Sequence, residues 1–409
     1  MRPLTLFFSV GEPSGDLHGA NLCTELRQRT GDAVRCVGFG GPRMADAGVE
    51  LHTDLTQHAV MGFLRVVAKI PHFLRLKRQA ECYFRDHKPD AVVLVDFPGF
   101  NWHIARVAKK HGVPVFYYGT PQLWAWASWR VKKLRRDVDH ALCKLPFEEA
   151  WLRQRGCNAT YVGHPYFDEL RSRAVDTAFV AEQRSEPGPL VALLPGSRTQ
   201  EVRSNFRYQL DAAKKVARDV PNVRFVVAAF KAKQLPLIEA AIRDAGFDER
   251  DAPRVIVGRT PELIEAADVC LAVSGSVSLE LLYHRKPTAI VYRISPTMHW
   301  VQKWFRRVRY ITLVNLLTTS ELFPKPVGKY ERGAAADEHV LMPEYLSCDD
   351  PSDDLAHDAK RWLTDPAERE RLVARMTELR DRIAAGGAKA RAGEDVGREQ
   401  APAAAGRPA

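Results

Sequence analysis

An aspartate closing a run of apolar residues can serve as a proton acceptor. AVVLVDFPGFN ends a strand-like run at Asp96 and continues through Pro98, Gly99 and Asn101. In open α/β sheets ligands bind beyond the carboxyl ends of the strands, and a carboxylate partly desolvated there suits a general base. The same residue also serves as an ordinary turn cap, and the segment alone leaves both roles open. A second candidate lies near the start, where LTLFFSV breaks into GEPSGDLHGA, Gly11 to Ala20. Glu12, Ser14, Gly15, Asp16 and His18 there fit the first β-to-α turn of such a sheet. Gly11 and Gly15 are also explained by a tight turn, and Ser14 or Asp16 by a helix cap. His18 is a possible base or phosphate donor, or a structural histidine.

Two later stretches suit phosphate binding, although the first also reads as an ordinary capped helix with an exposed arginine. LLPGSRTQEV places Gly196, Ser197 and Arg198 between a strand and a helix. Backbone N–H groups at a helix start bind anions, glycine permits close approach, and an arginine adds a charge-assisted fork for a diphosphate. The second, GRTPELIEAADVCLAVSGSVSLELLYHRKPTAIVYR, contains Arg259, a strand, a small-residue turn with Gly275 and Ser276, and Glu280 on the following helix. A carboxylate there can accept hydrogen bonds from two ribose hydroxyls, or merely complement the helix dipole. Two such turns in one half of the chain favour a nucleotide diphosphate. GFGGPRM has an incomplete dinucleotide fingerprint, and Asp137 and Asp139 read as surface residues. No HExxH or compact His/Cys cluster occurs, so neither a metal nor a cofactor is expected.

Elements must hold these residues. LTLFFSV, VRCVGFG, AVVLVDF, VPVFYYG, HALCK and ATYVG alternate with amphipathic stretches, and LVALLPGS, VRFVVAAF, RVIVG, VCLAVSG, PTAIVYR and ITLVNLL repeat the alternation. Such order implies mostly parallel sheets covered by helices on both faces. The expected fold is α/β, with two Rossmann-like parallel-sheet domains facing a central cleft. We place the first domain at 1–170, a polar linker at 171–189 and the second domain with its closing helices at 190–385. Residues 386–409, rich in Ala, Gly and Arg, carry little apolar surface and are expected to be disordered. Phe323 to His339 reads as a charged loop inserted late in the second domain.

Composition narrows the function. The chain has 409 residues, 45% hydrophobic, and seven scattered cysteines without a CxxC pair, which points to reduced thiols. No run of 18 apolar residues and no leader pattern appears, so a cytoplasmic location is expected. The net charge of +10 fits an anionic partner: nucleic acid, an anionic membrane or a phosphorylated substrate. Nucleic acid ranks behind the others because it leaves the paired phosphate turns unexplained. Residues 60–78, 123–136 and 299–311 join aromatics to cations, a pattern suited to a bilayer interface and also to core helices with solvated edges.

The residues also resemble a known family. GEPSGDLHGA, GFGGPRM with MGFLRVV, VDFPGFN, YYGTPQLWAW, CKLPFEE, VGHPYFD, LLPGSR and SGSVSLELL stand in the order of the lipid-A-disaccharide synthase family, inverting glycosyltransferases of the GT-B fold. The resemblance runs from about Leu4 to Leu346. It implies condensation of UDP-2,3-diacylglucosamine with 2,3-diacylglucosamine 1-phosphate (lipid X) to the β-1,6 tetraacyl disaccharide 1-phosphate and UDP. Asp96, with Glu12 and His18 near it, would be catalytic, and Gly196, Ser197, Arg198, Arg259, Gly275, Ser276 and Glu280 would hold UDP without a metal. Ser14, Gly15, Asp16, Asn101 and Asn315 would line the acceptor side. Val60, Met61, Phe63, Leu64 and Val67 would meet acyl chains or the inner-membrane surface, to which the enzyme would attach peripherally, as a homodimer. The family's Pro-Asn-Leu-Leu reads Val314, Asn315, Leu316 and Leu317 here, and MPEYL follows only after the charged insertion.

Overall fold

The computed structural model describes residues 3–58, 70–248, 251–384 and 386–400. The chain divides into two compact units, the first from 1–168 and 386–409 and the second from 169–385. In the first, β1 (Leu4–Val10), β2 (Val34–Gly40), β3 (Glu50–Asp54), β4 (Ala91–Val95), β5 (Val115–Tyr118), β6 (His140–Cys143) and β7 (Ala159–Tyr161) form one sheet. Their order is β3-β2-β1-β4-β5-β6-β7. Every pairing is parallel, with Phe8 beside Gly38 on one side and Val93 on the other. Strands of a parallel sheet are covered on both faces, which is why AVVLV carries no polar residue and is buried throughout.

The second unit repeats the scheme. β8 (Leu190–Leu194), β9 (Arg224–Ala229), β10 (Arg254–Val257), β11 (Val269–Val273), β12 (Thr288–Arg293) and β13 (Glu344–Ser347) lie in the order β10-β9-β8-β11-β12-β13, all parallel. In both sheets the order reverses once, between β1 and β4 and between β8 and β11. Those reversals open the crevices where ligands bind in this class of sheet. The two aspartate and glycine turns of the first half therefore flank one reversal, and the two small-residue turns of the second half flank the other.

Three expectations require correction, and one strand was not expected. ITLVNLL is not a strand: Leu313–Thr318 is helical, its Val314, Asn315 and Leu316 buried. The stretch read as linker carries a helix, Thr177–Ser185, whose start is capped by Asp176 accepting from Phe179 N at 3.1 Å. The polar ELHTD, unread in the sequence, supplies edge strand β3. Finally, residues 388–400 are not disordered but form a helix, Ala388–Gln400, that belongs to the first unit. Its Ala392 and Val396 enter the core beside Leu22 and Leu26 of the helix Pro13–Thr30. Asp168 caps its first turn, accepting from Gly387 N at 2.6 Å and Lys389 N at 2.9 Å, and Arg391 Nε donates to Val162 O at 2.7 Å. Small residues allow close helix packing, so little apolar surface suffices. In the charged insertion, buried Asp337 holds Arg309 through both carboxylate oxygens, at 2.9 and 2.6 Å.

Candidate active site

Asp96 leaves β4 in an unusual conformation. It and Phe97 have φ of 45° and 44°, in the left-handed region that side chains with a Cβ avoid. Such strain costs about 1–3 kcal/mol per residue and persists only when the surroundings over-determine it. Here they do. Asn101, fully buried on the helix Pro98–Lys110, donates through Nδ2 to the carbonyls of Ser9 at 3.1 Å, Val95 at 3.3 Å and Asp96 at 2.9 Å. Its Oδ1 accepts from Ser9 Oγ at 2.7 Å, and the Tyr117 hydroxyl donates to Asp96 O at 2.7 Å. Gly11 completes the arrangement, because a Cβ there would fall 2.3 Å from the Phe97 ring. The amide of Asn101 is thus spent on stitching β1 to β4, and the expectation that it lines the acceptor side is corrected: it positions Asp96.

A lysine that the sequence reading passed over faces this carboxylate. Lys144, just beyond β6, places Nζ 2.8 Å from Asp96 Oδ1, with about a fifth of each side chain exposed. Burial alone would lower the ammonium's pKa, but Asp96 outweighs it with help from Glu148 and Glu12, and the group stays above the ordinary lysine value. Glu148 anchors the lysine from below, accepting from Lys144 N and Leu145 N at 3.0 Å each and from Trp124 Nε1 at 2.9 Å. Gly119, at φ 75°, ends β5 beside the pair; a Cβ there would lie 3.0 Å from Asp96 Oδ1 and 3.1 Å from Lys144 Nζ. The carboxyl edges of β4, β5 and β6 together build the ion pair.

Two imidazoles are near enough to feel its charges. Burial takes His18 down to about 4, although the Asp96 charge pulls the other way, and its Nδ1 is buried with no hydrogen-bond partner. His164, from VGHPYFD, is pushed well below the histidine range, first by burial and then by Lys144 and His18. Both rings are neutral at pH 7, when they can exchange hydrogen bonds but carry no charge. Glu12 begins the helix Pro13–Thr30, with Ser14 exposed in its first turn. Gly15 packs against Val10, where a Cβ would come within 3.1 Å. Asp16 is buried, and its carboxylate accepts from Gly41 N, Arg43 N and Met44 N at 2.8, 3.0 and 3.2 Å. It caps the GFGGPRM turn, which corrects its expected place among acceptor contacts.

In the second unit the turn after β8 places Gly196 at φ 114°, where a Cβ would strike Glu201 at 2.6 Å. Glu201 accepts from Arg198 N at 3.1 Å and Nη1 at 2.8 Å, which steadies the start of the long helix Thr199–Asp219 while the guanidinium stays mostly exposed. Beside it, beyond β11, Gly275 and Ser276 are exposed ahead of the helix Val277–Tyr283. Gly275 has neither a positive φ nor any atom within 4 Å of a Cβ, so packing within the chain gives no reason for glycine there. Glu280 is buried, its Oε1 2.5 Å from Arg173 Nη1, and Arg173 also pairs with Glu169 at 2.6 Å. Arg259 is placed differently from the other expected nucleotide contacts. It follows edge strand β10, two strands from β8, or about 10 Å at the usual spacing, and it pairs with Asp176 at 3.1 Å.

Comparison with known proteins places the chain in a family. A family model described as lipid-A-disaccharide synthetase matches residues 6–357. The chain belongs to that family. A lipid-A-disaccharide synthase of Myxococcus xanthus strain DK1622 is 34% identical over 396 residues, covering 97% of each chain. Among solved structures, a UDP-N-acetylglucosamine 2-epimerase superposes with a TM-score of 0.63 at 14% identity, covering 100% of this chain and 99% of the other. The calicheamicin glycosyltransferase CalG4 superposes with a TM-score of 0.56 at 16% identity, covering 99% and 100%. At that identity the likeness establishes the fold, two parallel-sheet α/β domains of the GT-B kind.

Membership of the lipid-A-disaccharide synthetase family makes the chain a glycosyltransferase of lipid A disaccharide synthesis. Within it Asp96, Glu12 and His18 come together at one sheet reversal, while Gly196, Ser197, Arg198, Gly275 and Ser276 come together at the other. Asn315, expected on the acceptor side, is fully buried: it donates to Met342 O at 2.7 Å and Glu344 Oε2 at 3.1 Å and accepts from Leu341 N and Met342 N. It ties the helix Leu313–Thr318 to β13, so its acceptor role is corrected too. Val60, Met61, Phe63, Leu64 and Val67 lie outside the described residues. Among described residues no three His, Cys, Asp or Glu are grouped to hold a metal ion, and no helix is long and apolar enough to cross a membrane.

Proposed function

We propose that the chain transfers 2,3-diacylglucosamine from its UDP conjugate to the 6-hydroxyl of 2,3-diacylglucosamine 1-phosphate, with Asp96 as general base. The observation that carries the reading is the Asp96 carboxylate, held at the sheet reversal in a strained conformation by Asn101, Tyr117 and Gly11. The acceptor hydroxyl gives its proton to Asp96 as its oxygen bonds the anomeric carbon of the donor. The bond from that carbon to the diphosphate breaks on the opposite face, and UDP leaves with the electron pair. One displacement inverts the centre and gives the β-1,6 link. Charge on the departing diphosphate is met by the N–H groups at Ser197 and Ser276 and by Arg198, so no step calls for a metal. Glu280, steadied by Arg173, accepts from the ribose hydroxyls.

Acylated substrates require a membrane-facing surface, which we assign to peripheral contact with the cytoplasmic face of the inner membrane. Trp300, Trp304 and Phe305 support it: they are 63, 68 and 47% exposed on the helix Pro296–Phe305, and tryptophan favours the headgroup level. A homodimer is the assembly that we propose. The test is UDP release in detergent micelles from UDP-2,3-diacylglucosamine, with and without 2,3-diacylglucosamine 1-phosphate, in the presence of a chelator. Release that requires the acylated acceptor and resists the chelator is expected. Turnover of plain UDP-N-acetylglucosamine instead would move the function to a soluble sugar nucleotide.

A further inference from the structure

We propose that the charged insertion builds a second ligand site in the second unit, a cavity that takes the phosphate group of a small, soluble organic molecule and is distinct from the turns assigned to UDP. The cavity, of about 280 Å³, lies between residues 330–343 and the two closing helices, Ser352–Thr364 and Pro366–Ile383. Val340, Leu341 and Pro343 of its wall come just before β13, at the amino end of that strand. Every strand of this sheet runs parallel, and the two small-residue turns follow the carboxyl ends of β8 and β11. The cavity is therefore at the opposite edge of the sheet from them.

Charge and hydrogen bonding name the ligand. Arg361, Arg371 and Arg375 line the cavity, and one carboxylate serves two of them: Glu368 meets Arg371 Nη2 at 2.7 Å and Arg361 Nη2 at 3.4 Å. Arg375 donates to the Glu338 carbonyl at 2.9 Å and pairs with no carboxylate among the described residues. Three guanidinium charges against the one carboxylate of Glu368 leave two, which a phosphate dianion balances. The other charges of the wall are spent or solvated. Arg332 pairs with Asp354 and Asp358 at 3.0 and 3.3 Å, Asp337 pairs with Arg309, and Glu338 is exposed. Donors also outnumber acceptors. Arg361 Nε and Trp362 Nε1 are buried with no hydrogen-bond partner among the described residues, and a folded chain seldom leaves such groups unmet. To a wall of three arginines short of acceptors, a phosphate brings more oxygens than a carboxylate does.

Size and lining set the rest of the molecule. A volume of about 280 Å³ falls just below the range of about 300–1,000 Å³ usual for small-molecule sites. It suits a compact ligand and excludes a diacylated sugar. Val340, Leu341, Pro343 and Leu372, all buried, give the body of that ligand an apolar wall. The insertion is fixed without any ligand: Asp337 binds Arg309 through both oxygens, accepts from Glu331 N at 2.9 Å and accepts from the Tyr310 hydroxyl at 2.5 Å. The site is thus formed in advance, and binding needs no folding of the loop.

The measurement is titration calorimetry of the full chain in chloride buffer, with and without saturating UDP, using glycerol 3-phosphate, glycerate and glycerol as probes. Glycerol 3-phosphate should bind at one site per chain whether or not UDP is present, and about tenfold more tightly than glycerate. Glycerol should give no binding heat. Arg371→Gln and Arg375→Gln should each weaken glycerol 3-phosphate about tenfold. Hydrogen exchange of the wild type gives a readout independent of variant folding: the probe should slow exchange in 330–343 and in the two closing helices, and leave 195–202 unchanged. Competition by UDP, or slowing confined to 195–202, would put the phosphate in the donor turn and overturn the proposal. Equal affinity for glycerate would make the site one for carboxylates and overturn it likewise, as would variants that bind like wild type or a wild type that binds no probe. The transferase reading stands apart from all of these outcomes, because it is decided by Asp96 and by UDP release.

Discussion

Asp96 is where strain, charge and position coincide, so it gives the sharpest prediction at the scale of single residues. Asp96→Asn keeps the shape and the backbone bonds from Asn101 and Tyr117 but accepts no proton, and kcat should fall by a factor of about 10²–10⁴. UDP binding, measured by calorimetry, should persist, whereas Arg198→Ala should weaken UDP and leave the acceptor KM alone. Retention of near-normal turnover by Asp96→Asn would remove the base assignment. His18 predicts a pH effect on stability. Its folded value is about 4 against 6.5 for a free imidazole, so between those values the unfolded chain binds a proton that the native chain does not. Stability is therefore full above pH 6.5 and falls as the pH drops toward 4, by about 3 kcal/mol from this group. Urea midpoints at pH 7 and 4.5 should differ less in His18→Leu than in wild type, and an unchanged difference would clear His18 of the effect.

Elements were read best where burial alone decides them. The five apolar residues of AVVLV, LVALL and VCLAV have no alternative to a doubly covered strand of an open sheet. ELHTD escaped because β3 lies at the edge and is only partly buried, so it needs no apolar run. ITLVNLL misled because a short apolar run does not distinguish a strand from a buried helix. The site divides the same way. Asp96 and the two phosphate turns announce themselves by a residue type suited to chemistry behind a strand; Lys144 and His164 also follow strands, within CKLPFEE and VGHPYFD, but nothing local says what they face, and Arg173 carries no pattern of its own. They matter through partners 48 and 107 residues away, Asp96 for Lys144 and Glu280 for Arg173, or in the case of His164 through the burial it shares with His18. The helix Ala388–Gln400 was misjudged from composition, and its dependence on Asp168 is testable. Asp168→Ala removes the acceptor of two N–H groups in its first turn, which should cost about 1–2 kcal/mol. Hydrogen exchange should quicken in that helix and in Pro13–Thr30, and unchanged protection would show that the cap contributes nothing.

At the scale of the whole molecule the two units differ in how the chain builds them. The second is one continuous stretch, 169–385, with its six-stranded sheet and both small-residue turns inside it. The first is discontinuous, because 386–400 returns to cover Leu22 and Leu26. A fragment of residues 169–385 holds every strand of its own core and should unfold cooperatively and bind UDP with about the affinity of the full chain. A fragment ending at residue 168 leaves the Leu22 and Leu26 face bare and the Asp168 carboxylate without the two N–H groups it caps. It should be markedly less stable, and adding a peptide of residues 386–409 should raise its unfolding midpoint in proportion to peptide occupancy. Calorimetry and chemical denaturation of the two fragments read both expectations. Equal stability of the short first fragment with and without the peptide would mean that the returning helix merely rests on a core already complete. A second fragment that folds but ignores UDP would move the nucleotide away from Gly196 and Gly275 and take the proposed donor site with it.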